Sequence, residues 1–171
     1  MNNFDEMKKY KRILVTGPQR SGTTFTAKTI ASDLSYRYID EKEFNWYDRD
    51  VFNKFVVMDN VVIQCPTMCR WIHEFSDDCT LIVMMIRPIK DILNSQKRIN
   101  WNFEETESKN YPYKDLFACE AKYKFWEDVQ KNNLINYLEL NYSSLSDHPL
   151  WVDGEQRKFF SNKQTKKINI L

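Results

Sequence analysis

The residues best placed to do chemistry begin with Gly17-Pro18-Gln19-Arg20-Ser21-Gly22-Thr23-Thr24. This stretch holds two of the chain's three glycines and directly follows the apolar run Ile13-Leu14-Val15. The layout predicts a buried strand, a tight turn and a helix opening at Thr23. The first N–H groups of a helix have no partner within it and lie at the positive end of its dipole, so such a turn binds anions, phosphate above all. A second cation, Arg87, ends the most apolar run in the chain, Thr80 to Ile86. An unpaired guanidinium there is costly, so an anionic partner is expected. Ser95 follows about two helical turns later and would share that anion; the alternative is that Arg87 pairs with Asp91 and Ser95 faces water. The run Asp40-Glu41-Lys42-Glu43 reads by itself as a solvated charge run.

The glycine stretch resembles a Walker A loop, Gly-x-x-x-x-Gly-Lys-Ser/Thr, except that Thr23 stands at the lysine position and the nearest cation is Arg20. Phe55-Val-Val-Met58-Asp59 is a Walker B-like run whose aspartate would hold magnesium. It supports a P-loop kinase or nucleotide hydrolase, while Thr23 leaves the β/γ-phosphates of such an enzyme without their usual point charge.

These residues need elements to position them. Residues 12–17 read as the first strand and 23–35 as the first helix, with Ala27, Ile30, Ala31 and Leu34 on one face. Tyr36 to Asp40 reads as a short strand, 47–58 fits helix or strand, Val61-Val-Ile63 is a strand ended by Pro66, and 67–75 is helical. Residues 80–86 have the pattern of a strand buried on both faces. A helix over about 88–99 follows, with Pro88 in its first turn and Ile89, Ile92, Leu93 and Gln96 on its inner stripe. After a polar loop from Asn100 to Lys109, a helix over about 112–131 turns Leu116, Cys119, Tyr123 and Trp126 inward, and Tyr137 to Leu140 is the last strand. Alternating strands and helices predict an α/β fold with a mainly parallel central sheet flanked by helices. Ligands of such sheets bind beyond the carboxyl ends of the strands, where both the glycine loop and Arg87 fall.

A chain of 171 residues suits one domain, 1–171. The net charge of +1 gives no general attraction to nucleic acid or membrane, so an anion site must be local. Cys65, Cys69, Cys79 and Cys119 form no Cys-x-x-Cys pair and no zinc pattern, and are expected to be reduced thiols. With no signal-peptide plan at the start and no apolar stretch near the ~20 residues of a membrane span, a cytoplasmic protein is expected.

Three segments, taken in order, resemble a known family, the sulfotransferases that use 3′-phosphoadenosine 5′-phosphosulfate (PAPS). Pro18-Gln-Arg20-Ser21-Gly22-Thr23-Thr24-Phe25 is similar to their 5′-phosphosulfate loop, Pro-x-Lys/Arg-Ser-Gly-Thr-Thr. Arg87-Pro-Ile-Lys-Asp91-Ile-Leu-Asn-Ser95 is similar to their 3′-phosphate motif, and Leu138-Glu-Leu-Asn-Tyr142-Ser-Ser-Leu145 resembles the segment near the adenine. The resemblance implies a three-layer P-loop-type fold and transfer of a sulfuryl group from PAPS, with PAP as product, to a hydroxyl or amine of a small-molecule or glycan acceptor, with no metal required. It implies that Arg20, Ser21, Gly22, Thr23 and Thr24 hold the 5′-phosphosulfate, Arg20 also acting on the bridging oxygen. It implies further that Arg87 and Ser95 hold the 3′-phosphate and that Phe25 and Tyr142 border the adenine; core packing is the other reading of Phe25, and an ordinary strand-end aromatic that of Tyr142.

For the base, the family's histidine after the third strand is missing from Val61 to Pro66, and His73 reads as a helix-surface residue. Other branches place a glutamate after the second strand. Glu41 matches that spacing, with Asp40 and Glu43 as alternatives. The larger members' Arg-Lys-Gly clamp is Arg157-Lys158-Phe159 here, so Lys158 or Lys163 in the tail 143–171 would cover the nucleotide. Trp101, Phe103, Tyr111 and Tyr113 form either an acceptor lid or a cluster of the loop's own. A P-loop nucleotide kinase or NTPase and a catalytically silent PAP-binding module are the alternative functions.

Overall fold

The computed structural model describes residues 5–46, 48–99, 119–131, 135–146 and 148. The expected lid residues Trp101, Phe103, Tyr111 and Tyr113, along with Leu116 and the tail cations Arg157, Lys158 and Lys163, lie outside them.

Five strands, β1 (Arg12–Thr16), β2 (Arg37–Ile39), β3 (Val61–Gln64), β4 (Thr80–Ile86) and β5 (Tyr137–Asn141), form one parallel sheet in the order β2-β3-β1-β4-β5. The α-helices are α1 (Thr23–Leu34), α2 (Arg49–Phe55), α3 (Ile89–Arg98) and α4 (Cys119–Lys131), with 3-10 segments at Glu41–Phe44, Pro66–Phe75 and Tyr142–Leu145.

Strand alternation explains the layers. Ile13 and Val15 of β1 face a cluster with Ala27, Ile30, Ala31 and Leu34 of α1, whose predicted stripe is buried as a whole. Leu14 faces the opposite cluster with Phe44, Phe52, Ile72, Trp126 and Val129. Both sides of the sheet are thus covered, giving a three-layer α/β fold. Burying each of Ile13, Leu14 and Val15, all at 0% exposure, stabilises by about 1.5–3 kcal/mol. Phe44 and Phe75 stand edge-on to Phe52, at 5.0 and 4.7 Å between ring centroids.

One element settles an open reading, one is a tighter helix than expected, and one differs in the residues it buries. Residues 49–55 of the ambiguous stretch are helical because Asp48 caps them, its carboxylate accepting from the Val51 N–H at 3.0 Å. Pro66–Phe75 is 3-10 throughout. The inner stripe of α3 keeps Ile92 and Gln96 buried as expected, but Leu93 is exposed and Ser95 is buried in its stead. The reason is polar, since both side chains of α3 reach the glycine loop, Ser95 at Arg20 and Gln96 at the Gln19 carbonyl.

The chain leaves β1 toward β3 and β2, and later fills the other side with β4 and β5. The carboxyl ends of β1 and β4 therefore flank the point where strand order reverses, the usual ligand crevice of such sheets.

Candidate functional site

The loop after β1 is built for close approach. Thr16 Oγ1 donates to the Cys65 carbonyl at 3.0 Å, tying the end of β1 to the end of β3. Gly17 has φ +138, and a Cβ there would lie 3.0 Å from the Met85 carbonyl of β4. Gly22 has φ +101, and a Cβ there would overlap the Tyr142 ring. Between them Arg20 is itself left-handed, at φ 73, a conformation that costs a non-glycine residue about 1–2 kcal/mol. The Ser21 N–H closes a turn on the Pro18 carbonyl at 3.0 Å, and its hydroxyl is buried with no hydrogen-bond partner. Gly22 caps α1 without a side chain, and no acidic residue lies in the first turn. The positive end of α1 is left uncompensated.

Arginines gather on the β4 side of this loop. Arg20 Nε donates to Ser95 Oγ at 3.2 Å, and Arg87 Nη1 donates to the Arg20 carbonyl at 2.8 Å. The Arg87 guanidinium also lies 4.2 Å from the centroid of the Tyr142 ring. The backbone at Arg87 is clamped by Tyr123 of α4, whose hydroxyl accepts from the Arg87 N–H and donates to its carbonyl. Burial and then the nearby charges of Arg98 and Arg87 lower the pKa of Arg20 from its ordinary value. Like charges crowded this way are relieved by an anion. A cleft of about 510 Å³ opens beside them, with Arg87, Asp91, Asn141 and Tyr142 among its walls. Phe25 is half-buried and packs on the same apolar cluster as Tyr142.

The acidic run lies at the ends of β2 and β3. Asp40 accepts from the Lys42 N–H at 3.1 Å, and Glu43 accepts from the Asp40 N–H at 3.2 Å, so these two carboxylates cap the 3-10 turn. Glu41 alone turns inward. Its Oε1 accepts from Gln64 Nε2 at 3.2 Å, while Gln64 Oε1 accepts from the Tyr38 hydroxyl at 2.6 Å. Burial above all, with the Asp40 charge adding, pushes the Glu41 carboxyl up to about 7 against the opposing pull of Lys122 and Lys42.

Lys122 is the residue that sequence reasoning missed. Its ammonium is fully buried and donates to Gln19 Oε1 and to the Pro66 carbonyl, both at 2.6 Å. Burial lowers its pKa to about 8, although nearby Cys69 and Glu41 favour the charge. The signal was present, since Lys122 falls in the buried series Cys119, Lys122, Trp126, Val129 on α4.

One expected residue stands elsewhere, and His73 lies on the surface as expected. Asp59, the Walker B-like aspartate, precedes β3 and pairs with Lys11 at 3.0 Å and Arg12 at 3.7 Å, at the edge of the sheet opposite the loop. It cannot hold magnesium at the loop. Neither part of the alternative for Arg87 and Ser95 is seen, because Ser95 is 5% exposed and bonded to Arg20 while Arg87 reaches the Arg20 carbonyl. Cys65, Cys69 and Cys119 are buried free thiols, and Cys79 is half-buried and free. Among the described residues no cluster of His, Cys, Asp and Glu could hold a metal ion, and no helix is long and apolar enough to cross a membrane.

No family model and no curated protein matches the chain. Among solved structures it is similar to a shikimate kinase from Acinetobacter baumannii in complex with shikimate, at 12% identity and a TM-score of 0.52, over 96% of this chain and 97% of that one. It is also similar to the YorR protein from Bacillus subtilis in complex with phosphorylated GDP, at 13% identity and a TM-score of 0.49, over 91% and 95% of the two chains. What the likeness to the shikimate kinase establishes is the fold, a three-layer α/β sandwich of the P-loop kind.

Proposed function

We propose that this chain is a sulfuryl transferase that moves the sulfuryl group of PAPS to an acceptor by in-line displacement. One observation carries the reading: Arg20 of the glycine loop bonds Ser95 of α3, and Arg87 bonds the Arg20 carbonyl. The two anion motifs of the sequence thus meet in one cationic patch, suited to a nucleotide with phosphates at both its 5′ and 3′ ends. The buried, unpartnered Ser21 hydroxyl and the open first turn of α1 supply neutral donors to the same place. When bound, PAPS supplies a sulfuryl group activated by a phosphate leaving group. Arg20 would hold the charge that grows on the bridging oxygen, an interaction stronger in the transition state than before it. Glu41 would take the acceptor's proton, and Phe25 and Tyr142 would border the base.

A P-loop nucleotide kinase or hydrolase is the second reading, and the similarity to a shikimate kinase favours it over the first at the level of fold. The residues weigh the other way: Thr23 replaces the phosphate-binding lysine, and Asp59 lies at the far edge of the sheet. A silent PAP-binding module shares the same geometry and differs only in transferring nothing.

Thermal shifts separate these readings. A ligand at about 100 times its Kd stabilises the folded chain by about 2.7 kcal/mol. PAP is expected to raise Tm by several degrees, and ATP with magnesium by much less. The reverse order would establish the kinase reading in place of this one, and transfer from labelled PAPS to an acceptor would dismiss the silent binder.

A further inference from the structure

After β5 the chain runs along α1 and touches both of its ends. Gly22 caps the first turn of that helix and Asp33 lies in the last, about 16 Å further on at the usual helical rise. At the first end the Tyr142 ring is so close to Gly22 that a Cβ there would come within 2.4 Å of its Cδ2. Midway, Leu145 is 3% exposed in the apolar cluster with Ala27, Ile30 and Leu34. At the far end His148 Nε2 meets Asp33 Oδ2 at 3.1 Å, with both side chains mostly buried. A carboxylate only accepts, so the imidazole presents its Nε2–H to it. Backbone turns link these three points. Tyr142–Leu145 is 3-10, the Ser146 N–H closes on the Ser143 carbonyl at 3.2 Å, and the His148 N–H closes on the Leu145 carbonyl at 3.1 Å. Little slack is left between His148 and the Tyr142 ring. The same segment gives Tyr142, Ser143 and Ser146 to the wall of the cleft beside Arg87.

We propose that His148 and Asp33 are positioning residues: their hydrogen bond pins this segment to the far end of α1 and so sets Tyr142 against the glycine loop and Arg87. The inference rests on the transferase reading and adds what positions its nucleotide site. Tyr142 is the side chain that touches both anion motifs, the glycine cap of α1 and Arg87, whose guanidinium lies 4.2 Å from the ring centroid. A shift of the ring therefore loosens Arg87 and uncovers the first turn of α1 together. Burial of Leu145 holds the segment on the helix without direction, whereas a hydrogen bond has a preferred length and angle and fixes its register along the helix. Neither His148 nor Asp33 reaches the glycine loop, because Asp33 lies at the other end of α1. Their influence on a bound nucleotide passes through Tyr142 and is bounded at roughly tenfold in affinity, the scale of one hydrogen bond.

The test follows Gly22 by NMR in the full chain. Of the three glycines it alone follows a serine, so labelling the serine carbonyl carbon and the glycine nitrogen assigns it. The neighbouring aromatic ring displaces the Gly22 signals, and Tyr142→Leu supplies the undisplaced reference. His148→Ala and Asp33→Ala are each expected to carry Gly22 toward that reference and to weaken PAP by about three- to tenfold in calorimetry. The double variant should add little to either single one, since both remove the same bond. His148→Gln, whose amide nitrogen takes the place of Nε2, should keep both readouts near the parent. Where alanine at 148 does not fold, His148→Phe, which keeps the bulk and drops the donor, carries the comparison. A lower melting temperature with Gly22 unmoved would make the pair a structural contact only and overturns the proposal. PAP affinity unchanged while Gly22 moves overturns it as well. Failure of PAP to bind the parent chain overturns the transferase reading instead; the Gly22 comparison needs no nucleotide and decides the pin even then.

Discussion

Arg20 Nε donates to Ser95 Oγ at 3.2 Å, joining two residues 75 positions apart in sequence. Arg20 sits on a left-handed turn and Ser95 in the last half of α3, so the contact fixes where the guanidinium points before any anion arrives. Preorganisation of this sort matters most where charge develops during reaction. Arg20→Ala is therefore expected to cut sulfuryl transfer by roughly 10²–10³-fold. Ser95→Ala, which leaves the cation present but loosened, should cost less turnover while weakening PAP. Steady-state rates with labelled PAPS and calorimetry with PAP read the two effects, and unchanged turnover in Arg20→Ala removes it from the leaving-group role.

Arg87 carries a different expectation. It stacks on Tyr142 and bonds the Arg20 carbonyl, so it borders the cleft rather than the first turn of α1. Arg87→Ala should weaken PAP by about tenfold or more, the loss of a charge-assisted contact, and leave an analogue lacking the 3′-phosphate nearly unaffected. Equal losses for the two ligands in calorimetry would contradict a 3′-phosphate role.

Gly22 is held to glycine by two independent constraints. Its φ of +101 disfavours any side chain, and a Cβ would overlap the Tyr142 ring. Gly22→Ala should destabilise by about 2 kcal/mol or more, the conformational cost alone being about 1–2 kcal/mol. Tyr142→Ala in the same chain should recover the steric part and not the conformational part. Denaturant midpoints of the two single variants and the double variant measure the coupling. Strict additivity would mean that Tyr142 does not rest on Gly22.

The elements were legible where periodicity is strong. The alternation of α1, the apolar run of β4 and the glycine loop between strand and helix were all visible, because burial on one or two faces writes itself into residue type. The meeting of Arg20, Arg87 and Ser95 was legible from motif order. The exchange of Leu93 for Ser95 on the inner side of α3 was not, because Ser95 is drawn inward by Arg20 on a distant loop rather than by apolarity. Lys122 was hidden for the same reason: a lysine on a buried stripe reads as surface until Gln19 and Pro66 are seen to receive it. The Walker B-like run has strand composition, but Phe55 ends the helix capped at Asp48 and Asp59 falls before β3.

Glu41 yields a prediction in which pH alone distinguishes its roles. Its carboxyl titrates near 7 in the folded chain against an ordinary value of 4.5, chiefly because burial disfavours the charge. Between those values the folded state holds more protons than the unfolded chain, so the contribution to stability is complete below 4.5 and is lost as pH rises through 7. The total over that window is no more than about 3.5 kcal/mol. Glu41→Gln keeps the shape without the charge, so its stability should match the parent at pH 4.5 and exceed it at pH 8. Turnover should move in the opposite sense. A base works only when ionised, so transfer by the parent chain should rise as pH passes through about 7, and Glu41→Gln should lose that limb with roughly 10²-fold or more of the rate while PAP affinity is kept. Thermal melts and a pH–rate profile on the two chains check both halves. A stability slope unchanged by Glu41→Gln, or a rate limb that disappears only in Asp40→Asn, would move the base away from Glu41.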